Sequence, residues 1–165
     1  MTDDEIVRAG VDRIDDLRLL FLALHEHHRR VSVVPLTEPD DRAWAARVET
    51  YTGHFSADRA ILHLALRDGT PVGYAFTVLH DGSDDTFPLA PRYAELYTLA
   101  VAPEARRAGI GTALLDAVDA TLNDLGITSL TVAVMADNEA AIRLYQRRGL
   151  VPGELILYRL ATPAD

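Results

Sequence analysis

Apolar residues in the first third of the chain return at spacings of three and four. Ile14, Leu17, Leu20, Phe21 and Leu24 form such a series, which predicts a helix from an N-cap at Asp12 to about His28. A second helix is expected from Pro39-Asp40 through Trp44 and Val48 to Tyr51, ended by Gly53. Between Asp3 and Arg8, Ile6 and Val7 suggest a short first strand. Ala60 to Leu66 and Val72 to Leu79 read as two strands joined by Asp68-Gly69-Thr70-Pro71, so they form a hairpin. His80 to Pro91 is a polar loop punctuated by glycine and proline. Tyr93 to Val101 is strand-like. A helical stripe of Leu114, Leu115, Val118, Leu122 and Leu125 marks Gly111 to Leu125, with Gly126 as the stop. Thr128 to Met135 is a nearly continuous run of β-formers, the pattern of a strand buried on both faces. Asn138 to Arg147 is helical up to Gly149, and Leu155 to Leu160 gives a final strand. The order β-α-α-β-β-β-α-β-α-β predicts an α/β fold: a mixed sheet with helices on both faces and parallel β-α-β crossings in its second half.

Composition narrows the partners. With 165 residues, 48% hydrophobic and 25% charged, one domain over 1–165 is expected. A formal net charge of -9 argues against nucleic acid, which needs a basic face. It suits solubility, and it would also steer a cation inward. No run approaches the ~18 apolar residues of a membrane span, and the acidic start MTDDEIVRAG lacks an apolar leader core, so a cytoplasmic protein is expected. The chain has no cysteine and no lysine, all 16 basic residues being arginine. Thiolate metal sites, cysteine nucleophiles, a Schiff-base lysine and the lysine of a phosphate-binding P-loop are excluded. His25-Glu26-His27-His28 lacks the i, i+4 pair of a zinc helix, so no metal is expected and the run reads as a solvated helix end.

The stretch Arg106-Arg107-Ala108-Gly109-Ile110-Gly111-Thr112 sets two arginines before two glycines at the opening of a helix. Free amides and the positive end of the macrodipole favour an anion there. Glycine permits close backbone approach, and Thr112 adds a hydroxyl. The same turn could serve helix–sheet packing alone.

Its surroundings resemble a known pattern. Residues 95–115, ELYTLAVAPEARRAGIGTALL, are similar to the acyl-CoA signature of the GNAT acetyltransferase superfamily: an alternating strand, Val-x-Pro, then Arg/Gln-x-x-Gly-x-Gly/Ala, filled by Val101, Pro103, Arg106, Gly109 and Gly111. Residues 137–150, DNEAAIRLYQRRGL, resemble a second family segment through Asn138, Ala141, Leu144, Tyr145 and Gly149, with Leu150 where phenylalanine is common. The resemblance implies a GNAT fold: a mixed, mostly antiparallel central sheet with helices on both faces and splayed strands 4 and 5. It implies acetyl-CoA as cosubstrate, its pyrophosphate wrapped by the turn through Arg106, Arg107, Gly109, Ile110, Gly111 and Thr112. Leu99 and Val101 are expected to pair their backbone groups with the pantetheine arm, and Asn138 to add a polar contact.

The implied reaction is direct transfer of acetyl from CoA to a primary amine of a small molecule, peptide or protein. Tyr145, seven residues after Asn138 and expected on the same helix face, is the candidate proton donor to the departing thiolate, or else an amphipathic core residue. Glu95 is the candidate base, placed by period-2 alternation on one face with Tyr97, Leu99 and Val101; an exposed strand-end charge, with a water chain as base, is the other reading. Asp81, Asp84 and Asp85 could draw a cationic acceptor or simply belong to a mobile polar loop, and Trp44, Tyr51 and Phe55 are candidates for the acceptor-pocket wall or for core packing. Arg143, Arg147 and Arg148 read as helix-end charges. A non-catalytic acyl-CoA-binding module and an unrelated nucleotide-binding domain are the alternatives, the latter disfavoured by the glycine spacing. Homodimerisation stays open.

Overall fold

In the computed structural model, which describes residues 4–82 and 86–160, Asp68 and Gly69 turn with φ of 51° and 77°. Two consecutive positive φ values make the mirror-image turn that suits strand twist. It joins β2 (Ala60–Arg67) to β3 (Thr70–Asp81). With β1 (Glu5–Ala9), β4 (Arg92–Val101) and β5 (Leu130–Val132) these make one sheet in the order β1-β2-β3-β4-β5. Neighbours from β1 to β4 run antiparallel, and β5 lies parallel to β4. The chain crosses to β5 through a helix, α3 (Ile110–Asp124), as a parallel neighbour requires.

Helices cover both faces. On one lie a 3₁₀ segment (Val11–Leu17), α1 (Arg18–Val31) and α2 (Asp40–Ser56). Leu17, Phe21 and Tyr51 are buried there, with the Tyr51 ring stacked on Phe76 at 3.9 Å. On the other lies α3, whose Leu114, Leu115, Val118 and Leu122 are all buried. Burying an apolar stripe of this size is what holds a helix on a sheet. His63 Nε2 meets Thr121 Oγ1 at 3.0 Å across that interface. The start of α3 presses so closely on β3 that a Cβ at Gly73 would stand 3.0 Å from the Ala100 carbonyl and 3.1 Å from Ile110.

Four expectations change. The first helical stretch is not capped by Asp12: the 3₁₀ segment follows Gly10 with no side-chain cap, and the α-helix begins at Arg18. Gly53 does not end α2, which runs on to Ser56; a single glycine lowers helix stability without forbidding it. The run Thr128–Met135 yields only the three-residue β5, half-buried, because β4 offers it pairing partners only from Ala94 to Leu96. Leu155–Leu160 forms no strand, and residues 151–160 are exposed. A β-forming run becomes a strand only where an edge hydrogen-bonds it. The last helix, α4 (Glu139–Arg147), has no buried residue. Arg148 ties it to α3 by bonding Asp116 at 2.6 Å and also Asp119.

Candidate active site

The site is built around one irregularity in β4. Opposite β3, Phe76 faces Thr98 while the next residue, Thr77, faces Leu96. Tyr97 is therefore an inserted residue, a β-bulge, and the bulge exchanges the faces of the strand. Glu95, Tyr97 and Thr98 all look toward α2, whereas Leu96, Leu99 and Val101 look toward α3. The alternation expected to align Glu95 with Leu99 and Val101 is thus broken at Tyr97.

At the same point β4 and β5 part, since their pairing ends at Leu96–Val132. Ala102 donates its amide to the Val72 carbonyl at 2.8 Å, so alternation turns the backbone groups of Leu99 and Val101 away from β3, to the free edge. One of these groups is engaged: the Val101 carbonyl accepts from Arg106 Nε at 3.2 Å.

Beyond β4 the chain makes a short 3₁₀ turn, Pro103–Ala105, and reaches the glycine turn. Arg107 and Gly109 have φ of 64° and 83°, the left-handed region that Gly109 enters without Cβ strain. Gly109 stands at the N-cap of α3, and no side chain caps the helix. The first amides of α3 thus have no intrahelical acceptor. At Gly111 a Cβ would touch Val101 and Leu144 only at ordinary distances of 3.9 and 4.0 Å, so this glycine leaves room rather than relieving a clash. Ile110 is buried beneath the turn, and Thr112 is exposed at its start.

Asn138 lies just outside the helix that carries Tyr145. It is the N-cap of α4, its Oδ1 accepting from the Ala141 amide at 3.3 Å, because asparagine competes for free helix amides. It also neighbours His27, whose imidazole is held below its ordinary pKa chiefly by burial and then by Arg106. Tyr145 packs partly against the core, and burial pushes its phenol up to about 12. It therefore keeps its proton at neutral pH. Among the described residues its hydroxyl makes no hydrogen bond, and it shares none with Glu95.

Glu95 is not a bare strand-end charge: its Oε2 lies 2.9 Å from His80 Nε2. His80 stacks on Tyr93. His54, from α2, sits against Tyr97 at 5.9 Å between ring centres. Burial lowers the His54 pKa, His80 lowers it further, and Glu95 opposes both. Glu95, His54, His80 and Tyr97 form one polar patch on the α2 face of the sheet.

A cavity of about 350 Å³ opens between α1, α2 and β4, lined by Phe21, Leu24, His25, His28, Arg47 and Tyr97 among others. Of the wall candidates, Trp44 and Tyr51 follow the core-packing reading and are buried, and Phe55 does not line the cavity. The histidine run is not a solvated helix end. His28 is half-buried and its pKa falls to about 4, mainly through burial. His25 Nδ1 lies 3.4 Å from Asp40. Among the described residues no cluster of histidine and carboxylate side chains is arranged for a metal, and no helix is long and apolar enough to cross a membrane. Asp84 and Asp85 lie outside the described residues; Asp81 ends β3 and pairs with Arg92 at 3.5 Å. Arg143 pairs with Glu139 at 2.8 Å on α4. Sequence reasoning missed Arg47, His54 and His80. The recurrence of Arg47, Tyr51 and His54 at helical spacing was the available signal.

Comparison with known proteins places the chain's family and fold. A family model described as the acetyltransferase (GNAT) family matches residues 17–150. The mycothiol acetyltransferase of Streptomyces coelicolor is 30% identical over 159 residues, covering 94% of this chain and 46% of that protein. The one from Streptomyces avermitilis is 30% identical over 162 residues, covering 96% and 47%. The chain spans about half the length of these curated relatives. A solved aminoglycoside N-acetyltransferase in complex with CoA superposes with a TM-score of 0.72 at 19% identity, covering 98% of this chain and 96% of that one. A GCN5-related N-acetyltransferase from Ralstonia eutropha gives 0.73 at 17%, covering 97% and 100%.

Proposed function

For a chain that belongs to the acetyltransferase (GNAT) family, we propose transfer of an acetyl group from acetyl-CoA to a primary amine of a small molecule or peptide. The observation that carries this reading is the seam of the sheet. Past the bulge at Tyr97, β4 leaves β5 and directs the free edge at Leu99 and Val101 toward the uncapped start of α3. An extended chain with amide groups fits such an edge as an added strand would. A pyrophosphate fits the amides of Gly109, Ile110, Gly111 and Thr112, with Arg106 and Arg107 beside it. The acetyl thioester supplies the electrophile when it is bound there.

The chain's own residues then handle protons. The incoming amine must lose one and the departing thiolate must gain one. Glu95, oriented by His80, stands on the α2 face and receives the amine proton directly or through water. Tyr145, protonated at neutral pH, is the donor to sulfur. Relatives named as mycothiol and aminoglycoside acetyltransferases support an amine acceptor and acetyl as the acyl group. The test is a panel of amines incubated with acetyl-CoA and read by free-thiol release. Amine-dependent release supports the reading. Saturable CoA binding with no release from any amine would instead favour a binding module.

A further inference from the structure

Arg47 is the cation in the acceptor cavity, and its surroundings say what it awaits. Its guanidinium lies 5.0 Å from the Phe21 ring centre, 5.1 Å from Tyr97 and 5.6 Å from Tyr51. Nη1 donates to Thr98 Oγ1 at 2.9 Å, and the Thr98 hydroxyl also accepts from Tyr51 at 2.6 Å. The fork is thus fixed by three rings and a buried hydroxyl, with donors left over from its five. The carboxylates nearby are already matched. Glu38 pairs with Arg42 at 3.2 Å and Asp40 with Arg29 at 2.7 Å. Among the described residues no carboxylate lies within ion-pair distance of Arg47. His28, beside it, is neutral near pH 7, so the cavity holds one uncompensated positive charge.

On α2, His54 lies seven residues beyond Arg47. Two helical turns separate them by roughly 10 Å, and Tyr97 touches both. Tyr97 therefore joins the cavity that holds the unmatched fork to the neighbouring proton-handling patch of Glu95, His80 and His54. We infer that the acceptor is an amine bearing a carboxylate in the same molecule, with Arg47 gripping the carboxylate while the amine lies toward Glu95. A single planar fork suits a single monoanion, and one fixed charge would leave a phosphate dianion under-compensated. This rests on the acetyl-transfer reading above and narrows its acceptor.

The experiment compares triglycine with triglycine amide, which share the amine and differ in the carboxylate. Acetyl-CoA consumption is followed by thiol release for the unaltered chain, Arg47→Gln and Arg47→Lys. The expected kcat/KM ratio of acid to amide is about 10- to 100-fold, as a charge-assisted bidentate contact gives. It should sit mainly in KM, collapse toward one in Arg47→Gln and recover partly in Arg47→Lys. A ratio near one in the unaltered chain overturns the inference, as does a ratio that survives Arg47→Gln. Should neither peptide release thiol, calorimetric titration of both into the CoA-loaded chain decides: acid-selective binding supports the carboxylate site, and equal or absent binding overturns it. Calorimetry of CoA alone isolates the parent reading, since its failure would show as no CoA binding at all. Circular dichroism of each variant confirms that the fold is intact.

Discussion

The two edges of β4 follow different rules. Along β3 it is paired over nearly its whole length, from Asp81–Arg92 to Gly73–Val101, with one bulge. Along β5 it is paired at only three positions, Ala94 to Leu96. The first edge belongs to a sealed core in which Tyr74, Phe76, Leu96 and Leu114 are at most 2% exposed. The second belongs to a region where β5 is half-buried, α4 has no buried residue and residues 151–160 lie in solvent. Stability and chemistry are thereby separated. The core fixes the bulge, and the bulge opens the edge on which a cosubstrate can be laid.

The sharpest break of that division is Tyr145→Phe. If this phenol supplies the thiolate's proton, kcat should fall by ~10²–10⁴-fold, the usual range for a positioned acid, with CoA affinity held. Steady-state rates paired with calorimetry would read it, and unchanged turnover would return Tyr145 to a packing role. On the core side, Leu114→Ala should cost about 2–5 kcal/mol in urea unfolding, as fully buried leucines do. Leu157→Ala, in the exposed segment, should stay within about 0.5 kcal/mol. Equal losses from the two would erase the contrast.

A smaller effect comes from His63, buried under α3, whose pKa is depressed to about 4 by burial and secondarily by Arg8. Its folded value lies below the ordinary 6.5, so the unfolded chain takes up the proton first. The contribution is whole above pH 6.5 and is lost as pH falls from 6.5 toward 4. It amounts to roughly 1–2 kcal/mol once partial solvent access is discounted. The gap between unfolding midpoints at pH 7 and 4.5 should narrow in His63→Gln, with His28 supplying part of what remains; an unchanged gap would place the pH dependence elsewhere.

The sheet's hairpin, the α3 stripe and the glycine turn were legible because their signals are local: positive-φ turn residues, a 3.6-residue period and a strand-to-helix glycine pair. The bulge was not. Glu95 to Val101 carries no glycine, proline or other local mark of a bulge, and the inserted residue exists only relative to β3. The cluster around Arg47 was hidden for a similar reason, since its bond to Thr98 spans 51 positions. Leu155–Leu160 misled in the opposite direction. Its composition is that of a strand, but propensity does not supply an edge to pair with. Asn138 was legible as a polar residue at a helix start, but its cap on Ala141 was not.

The central claim is that the free β4 edge and the uncapped start of α3 together hold coenzyme A. Isothermal titration of CoA into the purified chain, repeated with Gly109→Val, tests it most directly. Saturable binding that weakens at least tenfold in the variant, with the core's unfolding transition retained, is the predicted result. No heat of binding in the unaltered chain, or equal affinity in the two, would contradict it.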